Sequence, residues 1–251
     1  MQGWKIFTHS LGMVFNNFGA ALRISGVLYL IQAAVSIYYT IRFSEYLTAI
    51  RLGAMPPPPQ GSIFTGLMVV VVSVFVPIWI AVAWHRYILL EENPGSAVPS
   101  YHGPQIMAYL GKSILIGLLL VIGGMAVGGV SVIVLGVFGS YGLIAGMVLA
   151  FIFMVYISYR IGLVLPAAAL GKKMAFGEAL DMTSQAKSVV FQLGIITIGF
   201  GALTQLPSYF NADPTSAINI VYSQVTGWIV MMLGVSILTT LYGVYVENRE
   251  L

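Results

Sequence analysis

The sequence predicts an all-α integral membrane protein, a single transmembrane domain over residues 1–251 that contains six membrane-spanning helices. Hydrophobic residues make up 59% of the chain and charged residues only 8%, whereas about 25% of the residues in a soluble domain are charged. The charged residues are also clustered, and none occurs within 52–85, 113–159, 188–212 or 214–246. Each of these windows can hold at least one apolar helix of about 20 residues, the length that crosses a bilayer.

Turn signals and charged residues divide the chain into spans. We expect them at about 24–41, 63–84, 113–138, 142–159, 188–206 and 222–245. The first lies between Arg23 and Arg42, and the prolines at 56–59 predict a loop after it, because a polyproline run cannot continue an α-helix. Pro77 lies inside the second span, where neighbouring helices can satisfy the freed carbonyl. Pro207 is expected to end the fifth span.

The uncharged window 113–159 is 47 residues long, so it must hold two spans joined by a turn. Glycines favour a turn either at Gly128-Gly129 or between Gly139 and Gly142, and we place it at the later site. Beyond this window, the apolar stretch 161–170 is expected to bend along the membrane interface at Pro166.

The distribution of Lys and Arg predicts the orientation of the chain. In the six-span arrangement nine of the 11 basic residues lie on the side of the termini, and Arg42 and Arg51 lie on the other side. Cytoplasmic loops carry an excess of Lys and Arg. We therefore expect a protein of the bacterial inner membrane with both termini in the cytoplasm.

The spacing of basic residues also suggests three helical hairpins, each preceded by an amphipathic segment at the membrane surface. Arg86 and Arg160, which follow the second and fourth spans, are 74 residues apart, and Lys112 and Lys187, which precede the third and fifth, are 75 apart. The alternative is that spans returning to the cytoplasm commonly end in an aromatic residue and an arginine without any repeat.

The three leading segments are expected at 4–18, 105–111 and 176–186. The first has an apolar stripe at helical spacing, formed by Trp4, Phe7, Leu11, Val14 and Phe18. The third has a polar face formed by Glu178, Asp181 and Gln185. This three- and four-residue periodicity is typical of amphipathic helices.

A Leu-Pro exit from the fourth span is followed by an amphipathic segment that leads into the fifth. The residues concerned are Leu163-Val164-Leu165-Pro166, Glu178-Ala179-Leu180, Met182-Thr183 and Phe191-Gln192-Leu193-Gly194. In this pattern the chain resembles the YciC-type inner-membrane proteins and the related membrane domain attached to some glycerophosphodiester phosphodiesterases. It departs from the family at Asp181-Met182-Thr183-Ser184 and has no tryptophan or basic cluster after this segment. The resemblance implies a six-span fold and no defined biochemical activity.

The chain lacks residues on which most membrane enzymes and coupled transporters depend. No Asp or Glu falls within a predicted span, whereas coupled transporters commonly carry an ionisable residue there. The motifs His-Glu-x-x-His, Gly-x-Gly-Asp, Gly-x-Ser-Gly and Gly-x-Ser-x-Gly are absent. Cysteine is absent and His9, His85 and His102 are isolated, so we expect no catalytic residue, metal site or cofactor. No basic run with interleaved aromatic residues indicates nucleic acid as a partner.

Neutral polar residues within the spans would either line a path for a solute that crosses without coupling to an ion, or form hydrogen bonds between neighbouring helices. They are Gln32, Ser36, Gln192, Thr197, Thr204, Gln224, Ser236, Thr239 and Thr240. Interhelical hydrogen bonding is the commoner role of such residues. Two Gly-x-x-x-Gly pairs, Gly124 with Gly128 and Gly142 with Gly146, predict close helix packing.

Basic residues near the ends of the spans form the predicted binding site. We expect Arg86, Arg160, Lys172 and Lys173 to form a cytoplasmic rim that binds the phosphate groups of anionic membrane lipids. The alternative is that these side chains only orient the chain and extend toward the headgroups.

These features predict a non-enzymatic inner-membrane protein that acts through lipid or protein partners. Such a protein would be an accessory, assembly or envelope-maintenance factor, alone or within a larger membrane protein complex. The alternative is an uncoupled facilitator or a transporter of lipids or small molecules. A lateral opening or a polar cavity at the level of the membrane would favour transport.

Overall fold

The computed structural model describes residues 2–95, 97–210, 213 and 215–251, without the side chains of Arg51, Ser208 and Tyr209. The described residues form helices and loops, with no strand among them. The α-helices are α1 (Gln2–Asn16), α2 (Phe18–Arg51), α3 (Ser62–Leu90), α4 (Gly103–Leu135), α5 (Gly139–Ile161), α6 (Val164–Ala169), α7 (Phe176–Met182), α8 (Lys187–Phe210) and α9 (Ala217–Tyr245). Short 3-10 helices lie at Gly136–Phe138 and Ser184–Ala186.

Five helical segments of the described chain are long and apolar enough to cross a membrane. They are Phe18–Ile50, Ser62–Leu90, Gly103–Ala169, Ser184–Pro207 and Ala217–Tyr245. The third contains 67 residues, which at about 1.5 Å per residue is far more than the roughly 30 Å of a bilayer core requires. The composition and the helices together indicate a helical membrane protein.

The 67-residue segment folds back on itself, because α4 and α5 run antiparallel. A Cβ atom added at Gly124 would lie 2.7 Å from Met154 Sδ, and one at Gly146 would lie 2.8 Å from Ser131 Cβ. An added Cβ at Gly142 would overlap the carbonyl oxygen of Leu135. Residue numbers along α5 thus increase from 142 to 154 while those of their contact partners in α4 decrease from 135 to 124.

The turn between α4 and α5 falls at Gly136–Phe138, close to the later of the two candidate sites. Helix α4 continues through Gly128-Gly129 without a break, and Gly139 has a φ of 63°, which a glycine adopts without steric cost. Gly128 has no neighbour within 4 Å of an added Cβ. It therefore takes no part in the close contact that its pairing with Gly124 predicted.

Several helices extend past the predicted ends of their spans. Helix α2 contains 34 residues, about 51 Å of helix at about 1.5 Å per residue. Helix α3 continues six residues past Trp84, to Leu90. The candidate span of the fifth helix ends at Pro207, as expected, but α8 itself continues three residues further, to Phe210. A proline removes one N–H donor, but its fixed φ is compatible with helical geometry.

The apolar stretch 161–170 lies in the core of the bundle. Leu163 and Ala169 have no exposed surface, and Val164 is 1% exposed. The segment is thus covered by protein, and its position at the level of the membrane interface stays a prediction. Small side chains at 167–169 allow α6 to pack closely among α3, α4 and α9.

Helix α1 is amphipathic, and its buried face coincides only in part with the predicted stripe. Phe7 and Val14 of that stripe are buried, together with Ile6 and Ser10, whereas Trp4 and Phe18 are half-exposed. Helix α1 contacts mainly α8 and α9, and it also contacts α2. It therefore packs within the bundle.

The other two leading segments behave differently from each other. Residues 105–111 belong to the continuous helix α4, so they do not form a separate leader. Residues 176–186 do form a separate segment, α7 and the following 3-10 helix. Ala179, Thr183 and Ala186 are buried there, and the polar face predicted from Glu178 is exposed.

Candidate functional site

Both chain termini lie at the same end of the bundle. Lys5, Thr8 and Leu251 line one open groove, and Lys172 in the loop after α6 lies 3.2 Å from Glu247 in the C-terminal tail. We call this part of the molecule the terminal end, formed by the first turns of α1, the loop 170–175 and the tail 246–251. It holds four of the nine basic residues that the sequence places on the side of the termini, namely Lys5, Lys172, Lys173 and Arg249.

An open pocket at the terminal end brings three lysines together. Lys112 from α4 and Lys172 and Lys173 from the loop after α6 line a cavity of about 670 Å³, together with Gln105 and Glu178. We call this cavity the lysine pocket. Of its three lysines, the sequence predicted Lys172 and Lys173 as binding residues and identified Lys112 only as the start of a span.

The three lysines differ in their neighbours. Lys112 Nζ donates to the carbonyl oxygen of Met174 at 3.1 Å and lies 5.2 Å from the centre of the Phe176 ring. Lys172 Nζ donates to Glu247 Oε1, and this bond raises the pKa of the ammonium group. Lys173 is exposed and has no hydrogen bond or ion pair with any described residue. The pocket thus contains at least one cation available to a ligand.

Arg86 binds protein groups and does not line the lysine pocket. Its Nε and Nη2 atoms donate to Glu92 Oε2 at 2.7 and 2.6 Å, and Nη1 donates to the carbonyl oxygen of Ala169 at 3.2 Å. Glu92 also lies 3.1 Å from His102 Nε2. Arg86 therefore joins the end of α3 to α6, with its charge compensated by a carboxylate.

Arg160 has a similar role at the end of α5. Its Nη2 atom donates to the carbonyl oxygen of Leu180 at 2.6 Å, and Nε donates to Thr183 Oγ1 at 3.0 Å. The guanidinium carbon lies 5.8 Å from the centre of the Tyr156 ring. Arg160 thus holds α7 against α5. Lipid binding by Arg86 and Arg160 stays a prediction, whereas the pocket combines Lys172 and Lys173 with Lys112.

His85, one of the three isolated histidines, is a core residue. Its side chain is fully buried, Nδ1 lies 2.8 Å from Thr239 Oγ1, and the ring centre lies 5.9 Å from that of Tyr109. Because Thr239 Oγ1 donates to the carbonyl oxygen of Val235, it accepts a hydrogen bond from His85 Nδ1. The other ring nitrogen has no hydrogen-bond partner among the described residues.

Several neutral polar residues of the predicted spans bind neighbouring helices. Ser236 Oγ accepts from Trp84 Nε1 at 2.9 Å, and Thr240 Oγ1 lies 2.9 Å from Ser10 Oγ. The hydroxyl groups of Thr197 and Thr204 donate to carbonyl oxygens of their own helix. The hydroxyl groups of these four residues are therefore engaged in contacts within the protein.

A second large cavity is open and has mainly apolar walls. It has a volume of about 760 Å³, and it is lined by α5, α8 and α9, together with Ile116 of α4 and Leu165 of α6. We call it the lateral groove. Its walls come from segments with the composition of membrane spans.

The lysine pocket and the lateral groove are the two candidate sites. No three His, Asp or Glu side chains come together in the described part of the chain in a way that would hold a metal ion. Comparison of the chain with known protein families, with curated proteins and with solved structures finds no match.

Proposed function

We propose that this chain is a YciC-type protein with six membrane spans in the bacterial inner membrane and both termini in the cytoplasm. The antiparallel packing of α4 and α5 supports two spans in the 67-residue segment. The position of both termini at one end also supports an even number of spans, because an odd number would place them on opposite sides. The excess of basic residues at that end supports its cytoplasmic location.

The function that we propose is non-enzymatic: the protein binds the headgroup of an anionic phospholipid at the cytoplasmic surface. The observation that carries it is the convergence of Lys112, Lys172 and Lys173 on one open pocket. A lysine ammonium group binds phosphate as a compact charge with three donors. Basic groups close to an anionic leaflet attract its lipids, and Lys173 has no competing partner among the described residues.

Native mass spectrometry after extraction in mild detergent tests this proposal, with phosphatidylglycerol and phosphatidylcholine added in parallel. We expect the protein to retain phosphatidylglycerol preferentially, and the double variant Lys172→Gln and Lys173→Gln to lose that preference. Lys187→Gln is the matched control, because Lys187 is exposed but does not line the pocket. Equal retention of the two lipids, or equal losses in the control, would overturn the proposal.

Lipid binding of this kind suits an accessory, assembly or envelope-maintenance factor that works beside other membrane proteins. Co-purification from mild detergent tests the existence of a protein partner. Repeated isolation of the chain without any protein would exclude a stable complex and would leave lipid as the partner.

A second candidate function is the uncoupled transport of a lipid, and the lateral groove favours it. The groove is open, its walls are mainly apolar, and they belong to segments with the composition of membrane spans. Proteoliposomes with a fluorescent lipid in both leaflets provide the test. An external quencher reaches only the outer leaflet, so the fluorescence of the inner leaflet is protected from it. If this protected fluorescence is lost faster than in empty liposomes, transport is supported. A rate equal to that of empty liposomes would exclude it.

A further inference from the structure

The lateral groove is suited to an apolar chain rather than to a polar solute. Its hydroxyl groups are already engaged, since Ser158 donates to the carbonyl oxygen of Val155 at 2.7 Å and Thr197 donates to that of Gly194 at 2.9 Å. Its volume of about 760 Å³ is within the range of about 300–1,000 Å³ of ligand pockets. Tyr159 and Gln205 add polar groups to an otherwise apolar lining, so an occupant must gain most of its binding free energy from apolar contacts.

Two glycines on opposite walls keep the groove open. Gly201 belongs to α8 and Gly234 to α9, and both line the groove. A Cβ atom added at either position would have no neighbour within 4 Å. By contrast, one added at Gly162, at the end of α5, would lie 2.8 Å from Leu238 Cδ2. The helices thus touch near Gly162 and leave free space between Gly201 and Gly234.

The lysine pocket and the lateral groove adjoin each other. Lys112 lines the pocket and Ile116 lines the groove, and residues four apart lie on the same face of a helix, about 6 Å along its axis. In α6, Ala168 lines the pocket and Leu165 lines the groove. The two cavities are therefore about one helical turn apart along both α4 and α6, and on α4 this turn leads from a cationic to an apolar side chain.

We propose that the two cavities form one binding site for a single anionic diacyl phospholipid, with its phosphate in the lysine pocket and an acyl chain in the lateral groove. A phospholipid has the same order of chemistry, a charged phosphate, a short glycerol ester region and a long apolar chain. The proposal rests on the headgroup binding proposed above and adds the chain to it. A site of this kind holds one lipid molecule in a defined position, whereas a basic rim would attract many lipids without positioning any of them.

Filling the groove tests the proposal. Gly201→Leu adds an apolar side chain to the free space, and Gly199→Leu is its matched control, because Gly199 is exposed on the same helix and also has no neighbour within 4 Å of an added Cβ. Binding of phosphatidylglycerol would be titrated and followed by native mass spectrometry. We expect Gly201→Leu to weaken this binding about tenfold, which corresponds to the loss of apolar contacts by one or two methylene groups of the lipid. Gly199→Leu should bind like the unmodified protein.

The lysine variants separate this inference from the proposed function. If Lys172→Gln with Lys173→Gln weakens binding and Gly201→Leu does not, headgroup binding stands and the single site is overturned. If neither weakens binding, both proposals fail. If only Gly201→Leu weakens binding, the groove binds chains without help from the lysines, and the single site is again overturned.

Photo-crosslinking supplies a measurement that does not depend on a variant. Phosphatidylglycerol with a diazirine on its acyl chain would be irradiated with the unmodified protein in nanodiscs. We expect labelled peptides from 197–205 and 230–238, which line the groove. Labelling spread evenly over exposed apolar residues of α2 and α3, such as Leu30 and Phe64, would show ordinary surrounding lipid and overturn the proposal.

Discussion

Buried polar side chains of this protein mostly occur in pairs that join two helices. Trp84 of α3 donates to Ser236 of α9 at 2.9 Å, and Trp228 of α9 donates to Ser25 of α2 at 2.8 Å. In each pair the serine accepts the hydrogen bond from the indole N–H. A hydrogen bond between transmembrane helices stabilises the fold by about 1 kcal/mol, so such pairs fix the rotation of each helix more than they add stability.

His85 and Thr239 provide a prediction about one such pair. Thr239→Val should lower the free energy of unfolding by about 1 kcal/mol, because it leaves His85 Nδ1–H without its acceptor. The midpoint of thermal unfolding in detergent should fall accordingly. His85→Leu, which removes the histidine and its unpartnered Nε2, should change the midpoint little. A larger loss in His85→Leu than in Thr239→Val would contradict this account and indicate another role for the imidazole.

At the scale of elements, glycines and arginines determine how the helices pack. Gly146 allows α5 to approach α4 at Ser131, and Arg160 attaches α7 to the end of α5. Both contacts join elements close in sequence. The long helices thus gain contacts through small side chains, and the short helix through a charged side chain that binds carbonyl oxygens.

Alanine substitutions test the role of the glycines. Gly146→Ala should destabilise the protein by about 1–3 kcal/mol through overpacking, because the new Cβ would lie 2.8 Å from Ser131 Cβ. Gly128→Ala is the control and should be neutral or slightly stabilising, since it adds helix propensity in open space. Thermal unfolding in detergent measures both. Equal effects of the two variants would mean that α4 and α5 do not pack as described.

Arg160→Lys tests the attachment of α7. A lysine cannot donate to Leu180 and Thr183 together in the forked geometry of a guanidinium group. We expect faster amide hydrogen exchange in 176–186, with little change in the long helices. Arg23→Lys is the control, because Arg23 is exposed and distant in sequence from α7. Unchanged exchange in 176–186 would show that Arg160 does not hold this segment.

At the scale of the whole molecule, the number of spans and the position of the termini depend on each other. Both termini lie at the terminal end, which supports the even number of spans that we propose. With α4 and α5 as separate spans, the proposed total is six. The turn between them then belongs to the same face as the loop that contains the prolines at 56–59.

Cysteine labelling tests this arrangement, since the chain contains no native cysteine. Val137→Cys and Met55→Cys place thiols at exposed positions in the two loops, and Glu250→Cys places one in the tail. In intact spheroplasts, an impermeant maleimide should label positions 137 and 55, and it should label position 250 only after permeabilisation. Protection of position 137 before permeabilisation would contradict six spans.

The candidate site was only partly predictable from the sequence. Lys172 and Lys173 stood out because they follow an uncharged stretch, but Lys112 is 60 residues earlier, and nothing local indicates that it faces them. Arg86 and Arg160 looked equivalent to the lysines, because a sequence shows a charge and not its partner. Their carboxylate and carbonyl partners are contributed by other segments.

The sequence by itself determined that this protein is helical, rich in apolar segments and asymmetric in charge. Transfer of a helix into a bilayer depends on the sum over about 20 consecutive residues, which a window of sequence contains in full. Only the tertiary structure decided that 161–170 is core, that α1 turns Ile6 and Ser10 inward, and which cations remain accessible. These outcomes depend on packing and hydrogen bonds between residues far apart in sequence, such as Ser10 and Thr240.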